Sequence, residues 1–483
     1  MSDSKTSLDP EDWDAYRRQL HDLADKMVDG MMDVGAGPVW RPVPNDVKEK
    51  VATAMPTEGV GTDETLRKIN ELILPYSTGN THPRFMGWVH GGGTTGGVMA
   101  AMVEATMNSN VGGREHIAPY IEQQVIAWLL DLFGMPETGS GILTNGTSIA
   151  TLDALVVARH ELLGALDADA KMARQSKLKV YASKAVHSSL AKAIAIIGLS
   201  TDALQPIDCH ADGSIDVSKL QDAINADHAQ GNEPFAIVGT IGTVATGSSD
   251  NVLALADLAE TEKLWLHIDG AFGALAILVP ELKPLFDGIG RAHSIAFDFH
   301  KWGQVQYSCG CLLVHDKHKH RQAFSLRESY LAPYDRGLAS ADHWFSDYGP
   351  ELSRSFLALR VWFLFQEHGS QALAASIKNS CDLAQYLARE VAANDTLELL
   401  AETKLNIVCF RLRPRDGEDA NHLNAEIVAD LHEAGIAAPS TVILDGQLAI
   451  RCCLVNHRIT AADIDILLKG VADLAAQRRV KRE

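Results

Sequence analysis

One lysine and one aspartate, Lys301 and Asp269, follow two short apolar runs, and an amine paired with a carboxylate in that setting points to a specific chemistry. Leu264-Trp-Leu-His-Ile-Asp269-Gly-Ala reads as a buried parallel strand delivering a charge to its carboxyl end, where open α/β sheets hold their ligands. Ser294-Ile-Ala-Phe297 is a second such run and brings His300 and Lys301 to the same edge. An amine able to form a Schiff base, with a carboxylate to hold a pyridinium nitrogen protonated, suits pyridoxal 5'-phosphate (PLP). The phosphate of such a cofactor needs an anion cradle. Thr144-Asn-Gly-Thr147-Ser148 offers a strand, a Gly turn and a helix start whose free N–H groups and dipole attract an anion. The plainer alternative makes Ser148 an N-cap alone. His187 and Thr243 follow two further strands that end at the same edge.

Those elements must form a mostly parallel sheet. Strand and helix signals alternate as Leu178–Ala182, Ser188–Ile197, Ile215 with Val217–His228, Phe235–Thr240, Val252–Glu262 and Leu264–Asp269, which is the βαβ order of an α/β domain with helices on both faces. After Lys301 the chain is expected to return as an antiparallel strand, Cys309 to His315. Arg327–Trp344, with Tyr330, Pro333 and Gly337, reads as a mobile loop, and a helix from Leu352 to His368 ends before Gly369. Three units follow from this reading: an N-terminal helical arm (1–85), a large PLP-binding domain (86–369) and a small C-terminal α+β domain (370–483). The last has a helix over 371–393, strands near Glu398–Ala401, Ile407–Leu412 and Leu448–Leu454, and a closing helix from Ala461 to Gln477. The arm, with an apolar face over Tyr16–Met32 and a helix over Thr62–Leu74, has too little core to stand alone and is expected to pack on a second subunit.

Composition narrows the function classes. A formal net charge of -19 disfavours nucleic acid and anionic membranes, and no run of about 18 apolar residues suggests a membrane span. The first residues are polar and acidic, unlike a signal peptide. Seven cysteines without a framework spacing read as reduced and buried, consistent with a cytoplasmic protein. Cys309 and Cys311 alternate within a strand rather than forming a metal site, and no metal is expected. His315, His318 and His320 lie among lysines and arginines and read as solvated, as does the terminal Arg478-Arg479. Gly91, Gly93 and Gly96 fit a dinucleotide fingerprint, but no second strand ends in an acid about 20 residues on, so a close-approach loop is preferred.

Taken together, Thr144-Asn-Gly-Thr-Ser-Ile-Ala, Val186-His-Ser-Ser-Leu-Ala-Lys-Ala, Gly242-Thr-Val-Ala-Thr-Gly, His267-Ile-Asp-Gly-Ala and Phe299-His-Lys-Trp resemble, in order and spacing, the group II PLP-dependent amino-acid decarboxylases, from about residue 12 to about 470. The resemblance implies fold type I, the aspartate-aminotransferase type, with a mostly parallel seven-stranded sheet, and an obligate homodimer with its active site at the subunit interface. It implies that Lys301 carries the cofactor, Asp269 pairs with the pyridine nitrogen, His187 stacks on the ring and Ala271 lies on the opposite face. Thr147, Ser148 and His300 match positions near the phosphate, and Thr243 one near the ring substituents. Tyr330 resembles a loop tyrosine that protonates the carbanion, with His187 as the other candidate donor. Arg354 falls on a recurrent arginine near the active site and is expected to contact the substrate. Trp88 and His90, in Trp88-Val-His-Gly91, replace residues lining the substrate pocket of aromatic decarboxylases.

The expected reaction is decarboxylation of an L-amino acid to an amine and CO2. An aromatic substrate is favoured, because no basic cluster awaits a side-chain carboxylate. The nearest alternative is an aldehyde synthase that oxidises the carbanion with O2, a switch that in relatives accompanies loss of the loop tyrosine or the stacking histidine. A nicotinamide-dependent oxidoreductase built on Gly91–Gly96, and a binding protein that keeps only the fold, are the remaining alternatives.

Overall fold

The computed structural model describes residues 7–325, 335–341 and 343–480. Twelve strands run in chain order: β1 (Phe85–Met86), β2 (Ser140–Thr144), β3 (Leu178–Ser183), β4 (Leu204–Ile207), β5 (Glu233–Thr240), β6 (Trp265–Asp269), β7 (Ser294–Asp298), β8 (Gly310–Val314), β9 (Leu397–Leu399), β10 (Ile407–Leu412), β11 (Ala438–Leu444) and β12 (Gln447–Cys453). They form a seven-stranded sheet, β2-β8-β7-β6-β5-β3-β4, and a five-stranded sheet, β1-β11-β12-β10-β9. In the larger sheet only β8 runs against its neighbours, pairing antiparallel with β2 and β7. This is the mixed α/β, mostly parallel architecture expected of fold type I.

Why these segments are strands is plain from their burial. Every residue of β2, β6, β7 and β8 is buried, so each reads as a continuous apolar run rather than an alternating one, as a sheet covered on both faces requires. The polar side chains around His267 are paired. His267, fully enclosed on β6, lies between Ser294 Oγ (2.8 Å from Nδ1) and Thr151 Oγ1 (3.2 Å from Nε2), and Trp265 Nε1 donates to the same serine. Burial lowers the His267 pKa to about 3, so the ring is neutral across the physiological range. Helix starts carry their own caps: Asp216, Asn251 and Asp419 accept backbone N–H groups from the first turns that follow them.

The structure departs from the sequence reading in several places. The expected strand at Ile215 is only an isolated bridge to Cys209, while the edge strand is β4. In the C-terminal portion a helix, Ala420–Glu433, and β11 were not anticipated. β1, from the N-terminal third of the chain, pairs with β11 and places Met86 in the core of the smaller sheet. The helix expected from Leu352 begins at Leu357 and runs to Ala392, broken at Gly369, whose φ of 72° is left-handed. The core changes hands farther on: Ile377 still packs on the large sheet's core, and Ala384 on the other. His320 is not solvated, for the helix Lys317–Phe324 turns it inward onto Ser140 Oγ, 2.8 Å from Nδ1. Nor is the terminal basic pair free: Arg478 bonds Asp430 and Glu426, and Arg479 bonds Glu418.

Candidate active site

The carboxyl ends of the parallel strands bring most of the sequence-predicted residues together. Asp269 closes β6 and is 4% exposed. Its Oδ1 accepts the Ala271 N–H at 3.0 Å, so the small residue after the strand orients the acid. Burial raises its pKa, and the charge of Lys301, that hydrogen bond and His187 pull the other way. A carboxylate enclosed this fully, with no cation bonded to it among the described residues, suits a cationic ring nitrogen. Adjacent β7 ends three residues before Lys301, and its register with β6, Asp269 opposite Ala296, fixes how the two segments meet.

His187 leaves β3 by a turn and is exposed. Ser189 N donates to its Nδ1 (3.2 Å), and Ser189 Oγ lies 2.8 Å from the same atom, which puts the ring proton on Nε2. Thr243, beyond β5, is buried in a turn in which its Oγ1 accepts the Ser248 N–H at 3.1 Å. Its hydroxyl is therefore already engaged.

The anion cradle has the expected local form. Gly146, with φ 142°, turns the end of β2 into the helix Thr147–Leu163, leaving Ser148 exposed at its start. Thr147 Oγ1 is buried without a partner among the described residues, a polar atom that a phosphate oxygen would satisfy. His300 Nδ1 is held by the Cys309 backbone, 3.0 Å from its carbonyl oxygen. An unpartnered hydroxyl at a helix start and an enclosed carboxylate with no cation bonded to it among the described residues suit the phosphate and the ring nitrogen of PLP.

One residue at this site was missed. Asp298, the last of β7, is 3% exposed; its Oδ1 accepts the Thr147 N–H at 2.6 Å and its Oδ2 lies 2.8 Å from Lys301 Nζ. His300 Nε2 is 3.6 Å from the same oxygen. Its place two residues before His300 was the available signal.

Aromatic rings line the wall beside Lys301. His90 stacks on Phe85 (5.5 Å between centroids) and Trp88 (6.0 Å), and meets the edge of Tyr307, which lies 4.3 Å from the His300 ring. Burial first, then the charges of His300 and Lys301, lower the His90 pKa, so its imidazole is neutral. Trp88 has a positive φ of 49° and an exposed indole. A second missed residue, Arg451 on β12, ties this wall to the turn after β5: it donates to Trp88 O (2.9 Å), Ser440 Oγ (3.1 Å) and Ala245 O (3.2 Å).

Gly91 explains the glycine-rich loop. A Cβ there would collide with the backbone oxygens of His300 and Lys301, so the loop is a close approach to the lysine segment. The strand before it, β1, belongs to the smaller sheet, so no βαβ unit carries a nucleotide there.

Arg354 is not open to a substrate. Its Nη2 donates to Glu122 Oε1 (2.6 Å) and Leu143 O (2.7 Å), and both charged side chains are enclosed, at 2% and 0% exposure. Glu122 in turn accepts the Leu143 N–H at 2.9 Å, so the pair braces β2 behind the cradle. Tyr330 lies outside the described residues.

Comparison with known proteins agrees with this geometry. Residues 44–413 match the family described as the pyridoxal-dependent decarboxylase conserved domain. The chain is 29% identical over 469 residues to an aromatic-L-amino-acid decarboxylase of Bacillus atrophaeus, covering 95% of each, and 26% identical over 464 residues to a phenylacetaldehyde synthase of Arabidopsis thaliana, covering 92% and 93%. Among solved structures it superposes on Oryza sativa TDC with PLP and tryptamine at a TM-score of 0.90, with 25% identity over 98% of this chain and 100% of that one.

Proposed function

The chain belongs to the pyridoxal-dependent decarboxylase family, and we propose that within it the substrate is an aromatic L-amino acid, released as its amine and CO2. PLP is its cofactor, and when bound it supplies an electron sink for the pair left by the departing carboxylate. The observation that carries the substrate reading is the array of Phe85, Trp88, His90 and Tyr307 beside the lysine segment, a wall able to stack an aromatic side chain.

The chain's own residues divide the remaining work. Lys301 would hold the cofactor through its amine. Asp269, buried and anchored by Ala271, keeps a positive charge on the ring nitrogen favourable. Thr147, Ser148 and His300 would hold the phosphate, with Thr243 near the ring substituents. His187 would cover one face of the bound ring and, with its proton on Nε2, could return a proton to Cα; Tyr330 is the other proposed donor. Trp88 and His90 contact the substrate side chain.

We infer a homodimer as the working form. The helix Thr95–Met107 exposes Val98, Met99, Met102, Val103 and Met107, and the helix Trp13–Met32 buries none of its residues. Seven free cysteines support a reducing compartment, the cytoplasm.

A screen of L-tryptophan, L-tyrosine, L-phenylalanine, L-histidine, L-glutamate and L-2,4-diaminobutyrate for CO2 release tests the reading. Turnover confined to the aromatic acids upholds it, and preference for an acidic or basic one overturns it. Ammonia and peroxide in step with CO2 would assign the aldehyde-synthase outcome instead. Sedimentation at equilibrium tests the dimer.

A further inference from the structure

Asp298 places a carboxylate at the start of the helix proposed to hold the cofactor's phosphate. Its two carboxylate oxygens span the site: one takes the N–H of Thr147, the first residue of the cradle helix, and the other pairs with Lys301 Nζ. The surroundings leave the carboxylate little room to swing aside. A Cβ on Gly310 would fall 2.8 Å from Asp298 Oδ1, and Gly146 and His300 close the neighbouring sides. A helix start satisfies one anion well, and two anions sharing it repel in a poorly solvated pocket. We propose that Asp298 is a cofactor-affinity residue: its carboxylate takes the Thr147 N–H at the phosphate end and lies 2.8 Å from Lys301 Nζ, so the phosphate and the aldehyde of PLP compete with it at both places.

This rests on the cofactor reading and goes beyond it. Asp298 is a positioning residue, acting on affinity through Thr147 and Lys301. An asparagine keeps the shape and the acceptor for the Thr147 N–H, removes the charge, and offers an N–H to a phosphate oxygen. It also frees Lys301, which affects any vitamer bearing the aldehyde. The two effects separate by comparing PLP with pyridoxal, which has the aldehyde and no phosphate.

The experiment titrates cofactor-stripped wild-type and Asp298→Asn proteins with PLP and with pyridoxal, reading the absorbance band and quenching of intrinsic fluorescence. The expected result is a preference for PLP over pyridoxal at least tenfold greater in the variant than in the wild type. An unchanged or smaller preference overturns the proposal, including the case in which both vitamers gain equally. Asp298→Ser, which also removes the charge, is titrated in the same way should the asparagine variant not fold. Inorganic phosphate alone provides a second readout: it should raise the melting temperature of the stripped variant more than that of the stripped wild type, and an equal rise counts against the proposal. A wild-type protein that binds no PLP would instead sink the cofactor reading itself.

Discussion

Replacing Arg354 by methionine separates a structural arginine from a substrate-binding one. The guanidinium and the Glu122 carboxylate are 2% and 0% exposed, joined at 2.6 and 3.1 Å, and together they hold both backbone polar groups of Leu143 on β2. Methionine fills much of the arginine's volume but leaves Glu122 enclosed with only the Leu143 N–H as partner among the described residues. Breaking a buried pair from one side costs about 3–5 kcal/mol. Unfolding entropy of ~2.1 cal/mol/K per residue, summed over the chain, is roughly 1 kcal/mol/K, so the melting temperature should fall by about 3–5 °C. Removing the second charge as well, in Arg354→Met/Glu122→Leu, should restore part of this, leaving a residual of about 1–3 kcal/mol for the orphaned Leu143 groups and a coupling energy of at least about 2 kcal/mol. Calorimetry on the four proteins gives the cycle, and steady-state kinetics on each gives KM. A melting temperature unchanged within error, together with a KM raised about tenfold or more, would refute the reasoning and return Arg354 to the substrate.

Further outcomes follow from the structure and from the proposed function. Asp153, enclosed on the cradle helix, has its pKa raised by burial, and then by Glu351, to about 8, against an ordinary value of 3.8. A raised folded-state pKa contributes stability that is complete below the ordinary value and is lost as pH rises through about 8, so Asp153→Asn should flatten the fall in melting temperature between pH 6 and 9. A variant whose profile parallels the wild type would contradict this. Trp88→Ala removes one ring of the substrate wall; stacking worth about 0.5–1.5 kcal/mol predicts a KM for an aromatic acid raised roughly 2- to 12-fold with kcat less affected, and an unchanged KM would move the substrate elsewhere. Tyr330→Phe should slow protonation of Cα and raise the share of aldehyde, peroxide and ammonia among the products. Product ratios unaltered by that change would leave His187 as the donor.

Much of this was legible because the chemistry sits at strand ends, where an apolar run stops at a polar residue. β6 ending in Asp269 and the Gly146-Thr147-Ser148 turn each carry that signature locally. Asp298 does not. It too ends an apolar run, but its meaning depends on Gly146 and Gly310 lacking side chains, which lets its carboxylate reach a helix start from a distant part of the chain. Arg354 and Arg451 were opaque for the same reason, since their partners, Glu122 and Trp88, lie far off in sequence. β4, Leu204-Gln-Pro-Ile, has a proline and no alternation, which an edge strand tolerates and a pattern search rejects. His320 was misread because its lysine and arginine neighbours occupy the outer face of a short helix whose inner face it alone buries. Arg478 and Arg479 find their acids on and before the unanticipated helix Ala420–Glu433, so the error in one element carried into the other.

The central claim is that Lys301 is the amine to which PLP is covalently joined. Borohydride reduction of the PLP-loaded protein makes that bond permanent, and peptide mass spectrometry then locates it. The mass of one reduced pyridoxyl phosphate on the peptide containing Lys301, and its loss in Lys301→Ala, is the predicted result. Label on another lysine, or none on a protein that still releases CO2 from its substrate, would contradict the account.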